Sequence, residues 1–98
     1  MKILLICSAG MSTSLLVTKM EQAAQRQNLT VEIKAVSAAE GKQVLPDYDI
    51  VLLGPQVRFL KSELARITDK PVEVIDMMAY GRMDGERVLN DALAKFKV

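Results

Sequence analysis

Histidine is absent from this chain of 98 residues, and cysteine occurs once, at Cys7. A lone cysteine cannot form a disulfide within the chain, so nothing indicates an oxidising compartment. The 13 lysine and arginine residues nearly balance the 12 aspartate and glutamate residues and leave a formal charge of +1. So small a charge gives no strong attraction to nucleic acid or to an anionic membrane surface, and we expect no nucleic-acid partner.

Long apolar runs are also lacking. No run approaches the ~20 residues that a membrane-spanning helix needs. The opening MKILLIC has too short an apolar stretch for a secretory signal, and bulky Ile6 stands where a processing site needs a small residue. Half of the residues are hydrophobic and 26% are charged, which is ordinary for a globular protein. We therefore expect a single domain over residues 1–98, located in the cytoplasm.

Short apolar runs alternate with helix-like segments along the chain. Val, Ile and Leu dominate the predicted strands, which cover residues 2–7, 30–36, 48–54 and 71–75. The first and third runs are continuously apolar, as expected of central strands, whereas the second alternates like an edge strand. Apolar residues recur at helical spacing in the segment 14–27, in the series Val57, Leu60, Leu64 and Ile67, and in the series Val88, Leu89, Ala92, Leu93 and Phe96. The segment 37–45 can form at most a short helix.

This alternation predicts an α/β fold in three layers, a four-stranded parallel sheet with helices on both faces. The common order for so small a sheet is 2-1-3-4. A sheet of this kind binds its ligand outside the carboxyl ends of its strands, where the strand order reverses. The segments predicted to meet there are 7–13, which reads CSAGMST, and Gly54-Pro55-Gln56.

The segment CSAGMST has the chemistry of an anion cradle. Unpaired backbone N–H groups and the positive end of the following helix favour an anion, and Gly10 lets the backbone turn closely around it. We expect these groups to lower the pKa of Cys7 below the usual ~8.5 and to make the thiol a nucleophile, although a free cysteine is also often a packed core residue. One of Ser12, Thr13 and Ser14 is expected to cap the helix. The predicted phosphate-binding residues are Ser8, Ala9, Gly10, Met11, Ser12 and Thr13.

Known phosphate loops do not match this segment. A dinucleotide loop needs three spaced glycines, and a nucleoside-triphosphate loop needs a lysine. Cysteine phosphatases place an arginine where this chain has Thr13, and no arginine occurs between Ile6 and Val17. Without that clamp, a phosphocysteine should form yet hydrolyse slowly, which suits a carrier. A small cysteine phosphatase or an arsenate-reductase-like enzyme is the alternative, and a regulator with an inert thiol is a third possibility.

Four further residue choices concern partners and cofactors. Met11, Pro55, Gln56 and Tyr80 are candidate partner contacts, and Gln56 is also a candidate for contact with phosphate. Each has a simpler reading: Met11 could pack on the core, Pro55 and Gln56 could form only a turn, and the region of Tyr80 could be surface capping. No carboxylate cluster lies near the predicted site, because Asp47 and Asp49 belong to the opposite end of the third strand, so neither a metal nor another cofactor is expected.

Four collinear blocks identify a family. The chain resembles the IIB components of the lactose/cellobiose/chitobiose family of the bacterial sugar phosphotransferase system. The resemblance covers the chain from end to end and is carried by CSAGMSTSLLV at 7–17, VLLGPQ at 51–56, KPVEVID at 70–76 and YGRMDG at 80–85.

The resemblance implies a fold similar to that of low-molecular-weight tyrosine phosphatases. It also implies a phosphotransferase whose Cys7 accepts a phosphoryl group from a histidine of the IIA partner. The next acceptor would be a β-linked disaccharide, such as cellobiose, diacetylchitobiose or lactose, bound by the membrane component IIC. The absence of histidine and of a membrane span fits that division of labour, since both functions would come from other polypeptides. Nothing in the loop selects among the sugars.

Overall fold

Four strands form one parallel sheet. The computed structural model describes residues 1–7 and 12–96. The strands are β1 (Lys2–Ile6), β2 (Glu32–Val36), β3 (Ile50–Leu53) and β4 (Val72–Val74), and they lie in the order β2-β1-β3-β4. The expected α/β fold and strand order are therefore confirmed.

The central strands are buried on both faces. Every residue of β3 is buried, and so are Ile3 to Ile6 in β1. In β2, by contrast, Glu32 and Lys34 are exposed while Ile33 and Val36 are buried, as expected of an edge strand. The register aligns Ile3 of β1 with Ile33 on one side and Ile50 on the other. A continuous apolar run thus occupies the middle of the sheet, where only apolar side chains fit.

Helices cover both faces of the sheet. They are α1 (Ser12–Arg26), α2 (Ala38–Val44), α3 (Lys61–Ile67), α4 (Met77–Gly81) and α5 (Gly85–Phe96), and 3₁₀ turns occur at Leu45–Asp47 and Pro55–Leu60. Helices α1, α4 and α5 pack on the face that carries Ile3 and Leu5. The second face, which carries Leu4 and Ile6, is covered by the segments from α2 to α3. No helix within residues 1–7 and 12–96 is long and apolar enough to cross a membrane.

The third connection departs from the predicted helix. Its first part, Pro55–Leu60, is a 3₁₀ turn, and the α-helix begins only at Lys61. Val57, Leu60 and Leu64 are nevertheless all buried, as the predicted apolar spacing requires. Ile67, the last residue of α3, is 56% exposed.

Backbone hydrogen bonds hold three strand ends side by side. The N–H of Cys7, which follows β1, donates to the Val36 carbonyl at 3.2 Å. The N–H of Gly54, which follows β3, donates to the Ile6 carbonyl at 2.9 Å. Ile75, which follows β4, donates to Leu53 at 2.8 Å. These bonds continue the sheet by one residue and fix the backbone at the edge where a ligand site was expected.

Candidate functional site

Cys7 is held at the carboxyl edge of the sheet and is almost completely covered. Only 3% of the residue is exposed. Its side chain lies on the face of the sheet that packs against α1, α4 and α5, beside Ala79 and Tyr80. The alternation of side chains along β1 places it there, because Ile3, Leu5 and Cys7 share one face. The lone thiol therefore belongs to the hydrophobic core and also lies at the carboxyl edge of the sheet.

Gly54 is in direct contact with the sulfur. A methyl group in place of its hydrogen would lie 2.8 Å from Cys7 Sγ and 2.9 Å from Gln56 Oε1. Both atoms therefore lie against the same face of Gly54. The absence of a side chain at this position leaves room against the backbone for both the thiol and the Gln56 carboxamide.

Thr13 contributes a buried hydroxyl from the first turn of α1. The residue is 6% exposed, and Thr13 Oγ1 makes no hydrogen bond of ordinary geometry with any residue in the described part of the chain. The hydroxyl nevertheless lies near enough to the Cys7 sulfur to favour the thiolate. A buried hydroxyl without a partner is uncommon, because leaving it unpaired costs roughly 1 to 3 kcal/mol. The Thr13 hydroxyl therefore retains an unused donor near the sulfur.

Tyr80 reaches the thiol from the other side. Its position depends on α4, which begins after Asp76 at the end of β4. The Asp76 carboxylate caps this helix by accepting from the N–H groups of Met78 and Ala79, both at 3.1 Å. Arg87 of α5 lies 3.7 Å from the same carboxylate. The capped turn brings the Tyr80 hydroxyl close enough to Cys7 to stabilise its thiolate.

Burial dominates the acidity of the thiol. It raises the pKa of Cys7, whereas Thr13, then Tyr80, then the backbone N–H of Gly54 lower the pKa without cancelling the effect of burial. The Gly54 N–H, which also donates to the Ile6 carbonyl, lowers the pKa of Cys7 least of the three. The expectation of a lowered pKa was wrong, because it counted the helix start and ignored the depth at which the strand end places the sulfur.

An open apolar groove of about 700 Å³ adjoins the site. Pro55, Gln56 and Tyr80 line it, so three of the four predicted partner contacts lie together. The groove is extended by Phe59 and Met77, which are 73% and 64% exposed. Large apolar side chains this exposed beside a buried reactive group are typical of a surface that receives another protein.

The remaining predicted residues divide into two groups. Ser8, Ala9, Gly10 and Met11 lie outside the described residues. Helix α1 begins at Ser12, two residues earlier than predicted, so Thr13 and Ser14 lie within its first turn. The residues before Ser12 lie outside the described part of the chain, so the expectation that one of Ser12, Thr13 and Ser14 caps the helix stays a prediction.

Sequence reasoning missed Phe59 as a groove residue. Phe59 had a usable signal, since it falls between Val57 and Leu60 and so lies off the apolar stripe. Met77 lies in α4, whose five residues are too few to show a helical period. Among residues 1–7 and 12–96 no three histidine, cysteine, aspartate or glutamate side chains are grouped so that they could hold a metal ion.

The fold and the site define an α/β protein with one covered thiol at the strand edge, and comparison with known proteins identifies its class. Residues 2–91 match the family model described as PTS system, Lactose/Cellobiose specific IIB subunit. The chain belongs to this family, whose members are phosphotransferases of sugar transport. Its four-stranded sheet is the architecture that these domains share with low-molecular-weight tyrosine phosphatases.

Relatives are similar over nearly the whole chain. The oligo-beta-mannoside-specific EIIB component of Bacillus subtilis is 53% identical over 95% of this chain and 93% of its own length. The galactose-specific EIIB component of Lactococcus lactis subsp. cremoris is 47% identical over 89% of this chain and 88% of its own. The solution structure of the cellobiose-specific IIB component of Borrelia burgdorferi has a TM-score of 0.81 and 43% identity, and covers 99% of this chain and 92% of its own.

One relative is a longer protein. The lactose-specific EIICB component of Lactococcus lactis subsp. lactis is 31% identical to this chain over 69% of its residues. The matched region makes up 12% of that relative.

Proposed function

We propose that this protein carries a phosphoryl group on Cys7, accepting it from a phosphohistidine of a IIA partner and passing it to a β-linked disaccharide bound by a membrane component IIC. The observation that carries this proposal is the surroundings of the sulfur. The described groups that favour its thiolate, Thr13, Tyr80 and the Gly54 N–H, are all neutral hydrogen-bond donors. Neutral donors can hold a phosphoryl group without binding it too tightly to pass on.

The two transfer steps balance through the thiol proton. In the first, Cys7 Sγ attacks phosphorus, the S–P bond forms as the P–N bond of phosphohistidine breaks, and the imidazole nitrogen takes up the proton that the thiol loses. In the second, a sugar hydroxyl oxygen attacks the same phosphorus, the S–P bond breaks, and the hydroxyl proton returns to sulfur. Because burial raises the pKa of Cys7, the thiol holds this proton at neutral pH until the donor arrives.

Slow hydrolysis follows from the same surroundings. Thr13 occupies the place where cysteine phosphatases have an arginine, and only 3% of Cys7 is exposed. A covered S–P bond gives water little access, and a missing cation removes most of the stabilisation of the hydrolytic transition state. The phosphocysteine should therefore last long enough to meet the second partner.

Partner proteins supply what this chain lacks. It has no histidine, so a phosphohistidine donor must belong to another polypeptide. We place that donor on the groove lined by Pro55, Gln56, Phe59 and Tyr80, which adjoins the thiol. The relative whose name joins C and B in a single EIICB component supports a IIC partner for the second step. Such a partnership places this protein at the cytoplasmic side of the membrane.

The sugar is determined elsewhere. Relatives that are 53% and 47% identical bear the names oligo-beta-mannoside and galactose, so similar IIB chains serve different sugars. We accordingly assign the acceptor to the class of β-linked disaccharides and assign the choice among them to the membrane component.

The test is transfer from a phosphorylated IIA protein of the lactose/cellobiose family. Intact-mass spectrometry should show the addition of one phosphoryl group, and peptide mapping should place it on Cys7. The Cys7→Ser variant should fold, as judged by circular dichroism, and remain unlabelled. A label on another side chain, or none on the wild type, would refute the proposal.

An aryl phosphate distinguishes the carrier from a phosphatase. The wild-type protein should show little turnover of this substrate, because the clamp and a general acid are missing from its nucleophile segment. Rapid turnover that Cys7→Ser abolishes would instead identify a small cysteine phosphatase.

A further inference from the structure

The carboxamide oxygen of Gln56, a residue that the sequence offers as a candidate for contact with phosphate, packs against the same glycine as the thiol. Gln56 Oε1 and Cys7 Sγ both lie against the same face of Gly54, at 2.9 Å and 2.8 Å from the point where a β-carbon would stand. Pro55 starts the 3₁₀ turn, and the Val57 N–H closes it by donating to the Gly54 carbonyl at 3.0 Å. The turn therefore folds the Gln56 side chain back over Gly54, against which the sulfur also lies.

A carboxamide can serve both states of this sulfur. It carries an acceptor oxygen and an NH₂ donor, and a half-turn about its last bond exchanges their positions. The resting thiol is an S–H donor, which is matched by the amide oxygen. A phosphoryl group on sulfur presents only anionic acceptor oxygens, which are matched by the amide NH₂. No other described side chain at the sulfur combines a carbonyl acceptor with such donors, since Thr13 and Tyr80 offer hydroxyls.

We propose that Gln56 is a catalytic residue of phosphoryl transfer, whose amide oxygen faces the Cys7 thiol in the resting protein and whose NH₂ group donates to a phosphoryl oxygen once the S–P bond has formed. This proposal rests on the proposed function and deepens it. Gln56 gives up no proton in either step. It acts as a neutral clamp where a phosphatase would use a charged one, so it stabilises the transferring group without trapping it.

Two substitutions separate the donor from the rest of the side chain. Gln56→Glu keeps the shape but replaces the donor by a charged acceptor that repels the phosphoryl oxygens. Gln56→Met keeps the length and removes both polar atoms. The matched control is Gln25→Glu, which adds the same charge in the last turns of α1, at the opposite end of the sheet. Gln56 and Gln25 are both exposed, so the three variants should fold.

The measurement is the single-turnover rate of phosphoryl transfer from saturating phosphorylated IIA protein. Removal of one donor to a developing oxyanion typically costs about 10²-fold in rate. We expect a loss of about that size for Gln56→Met, a larger loss for Gln56→Glu, whose carboxylate also repels the phosphoryl oxygens, and no change for Gln25→Glu. In the ³¹P NMR spectrum, the phosphocysteine signal should shift in both Gln56 variants and stay unchanged in the control.

The outcomes are distinct. If Gln56→Glu and Gln56→Met transfer at the wild-type rate when the donor is saturating, and lose only affinity for the IIA protein, Gln56 is a docking residue and this inference is wrong. An unchanged phosphocysteine signal would also overturn it. Failure of the wild-type protein to become labelled on Cys7 would refute the proposed function itself, whatever the variants do.

Discussion

Gly54 and Cys7 approach so closely that a β-carbon at position 54 would stand 2.8 Å from the sulfur. Real β-carbons do not approach a sulfur atom this closely, so a side chain at this position must displace either the thiol or β3. The position is held by the sheet, because the Gly54 N–H donates to Ile6 at 2.9 Å. The thiol is thus the part that has to move.

Gly54→Ala should therefore destabilise the protein and disable the thiol. Overpacking of a tight contact typically costs ~1 to 3 kcal/mol. Gly81→Ala is the matched control, since a β-carbon there has no neighbour within 4 Å. This control should be neutral or stabilising by up to ~1 kcal/mol. Urea unfolding measures both effects. Equal stabilities for the two variants would show that the protein accommodates a β-carbon at position 54 beside the sulfur without cost.

The buried thiol should make stability depend on pH in the alkaline range. Burial raises the pKa of Cys7 in the folded protein above that in the unfolded chain. The folded state therefore keeps its proton more firmly. The resulting contribution to stability is fully present below the unfolded-state pKa of about 8.5 and is lost as the pH rises through the folded-state pKa.

The comparison protein for this measurement is Cys7→Ser, in which every other titrating group is retained. The difference in free energy of unfolding between wild type and variant should be constant up to about pH 8. At higher pH the wild type should lose stability relative to the variant. Alkylation by iodoacetamide should likewise be slow at neutral pH and accelerate only at higher pH. A thiol that reacts rapidly at neutral pH would contradict the raised pKa.

Thr13→Val should affect stability and function in opposite directions. Thr13 Oγ1 is buried and has no hydrogen-bond partner among the described residues, so its removal should stabilise the protein by ~1 kcal/mol. Because this hydroxyl also favours the thiolate, the variant should have a further raised Cys7 pKa and should accept phosphoryl groups about 10-fold more slowly.

Thr18→Val is the matched control in the same helix. Thr18 is exposed, and its hydroxyl donates to the Ser14 carbonyl at 3.1 Å. This variant should leave the thiol pKa and the transfer rate unchanged. A wild-type transfer rate in Thr13→Val would show that the buried Thr13 hydroxyl has no part in phosphoryl transfer.

Much of the fold could be predicted because its signals are local and strong. The run Ile3 to Ile6 is apolar at every position, as expected of a strand that is covered on both faces. The alternation of apolar and polar residues in β2 indicates an edge strand. The strict order of strands and helices then limits the topology. Strand ends were less accurate: β4 has three residues because its pairing with β3 extends only from Val51 to Leu53.

The site was predictable in position but not in detail. The end of β1 beside the end of β3 follows from topology, and it correctly places Cys7 beside Gly54. The acidity of the thiol and the position of the Gln56 carboxamide against Gly54 depend instead on tertiary packing, which no local pattern encodes. Tyr80 was predicted only as a candidate partner contact. Its approach to the sulfur depends on α4, a helix too short to show a helical period in the sequence.

The groove beside the thiol should be required for partner docking. Phe59 and Met77 are 73% and 64% exposed and extend the groove lined by Pro55 and Tyr80. Phe59→Ser and Met77→Ser should each weaken binding of the IIA protein by about 10-fold or more, because each removes a buried apolar contact worth ~1.5 to 3 kcal/mol. Isothermal titration calorimetry measures the loss.

Ile67→Ser serves as the control for this loss. Ile67 is also a large exposed apolar residue, at 56%, but it lies at the end of α3 and does not line the groove. Its substitution should leave the affinity unchanged. Equal losses in all three variants would mean that general surface apolarity, rather than the groove, governs the interaction.

Asp76 should act on the thiol through Tyr80. Its carboxylate caps α4 by accepting from Met78 and Ala79, and Asp76→Ala removes both bonds. The loss of such a cap costs ~1 kcal/mol of stability. The exposed ion pair with Arg87, at 3.7 Å, should add little. Fraying of this five-residue helix should withdraw the Tyr80 hydroxyl from Cys7 and raise the thiol pKa further.

Ser37→Ala tests whether the effect on the thiol is specific. Ser37 caps α2 by accepting from the Glu40 N–H at 3.3 Å, so its loss should cost a similar amount of stability. The pH profile of iodoacetamide alkylation should move upward in Asp76→Ala and in Tyr80→Phe, and stay at the wild-type position in Ser37→Ala. If the two cap variants shift the profile equally, general loosening explains the result. If only Asp76→Ala and Tyr80→Phe shift it, the carboxylate at the end of β4 positions the tyrosine that holds the thiolate.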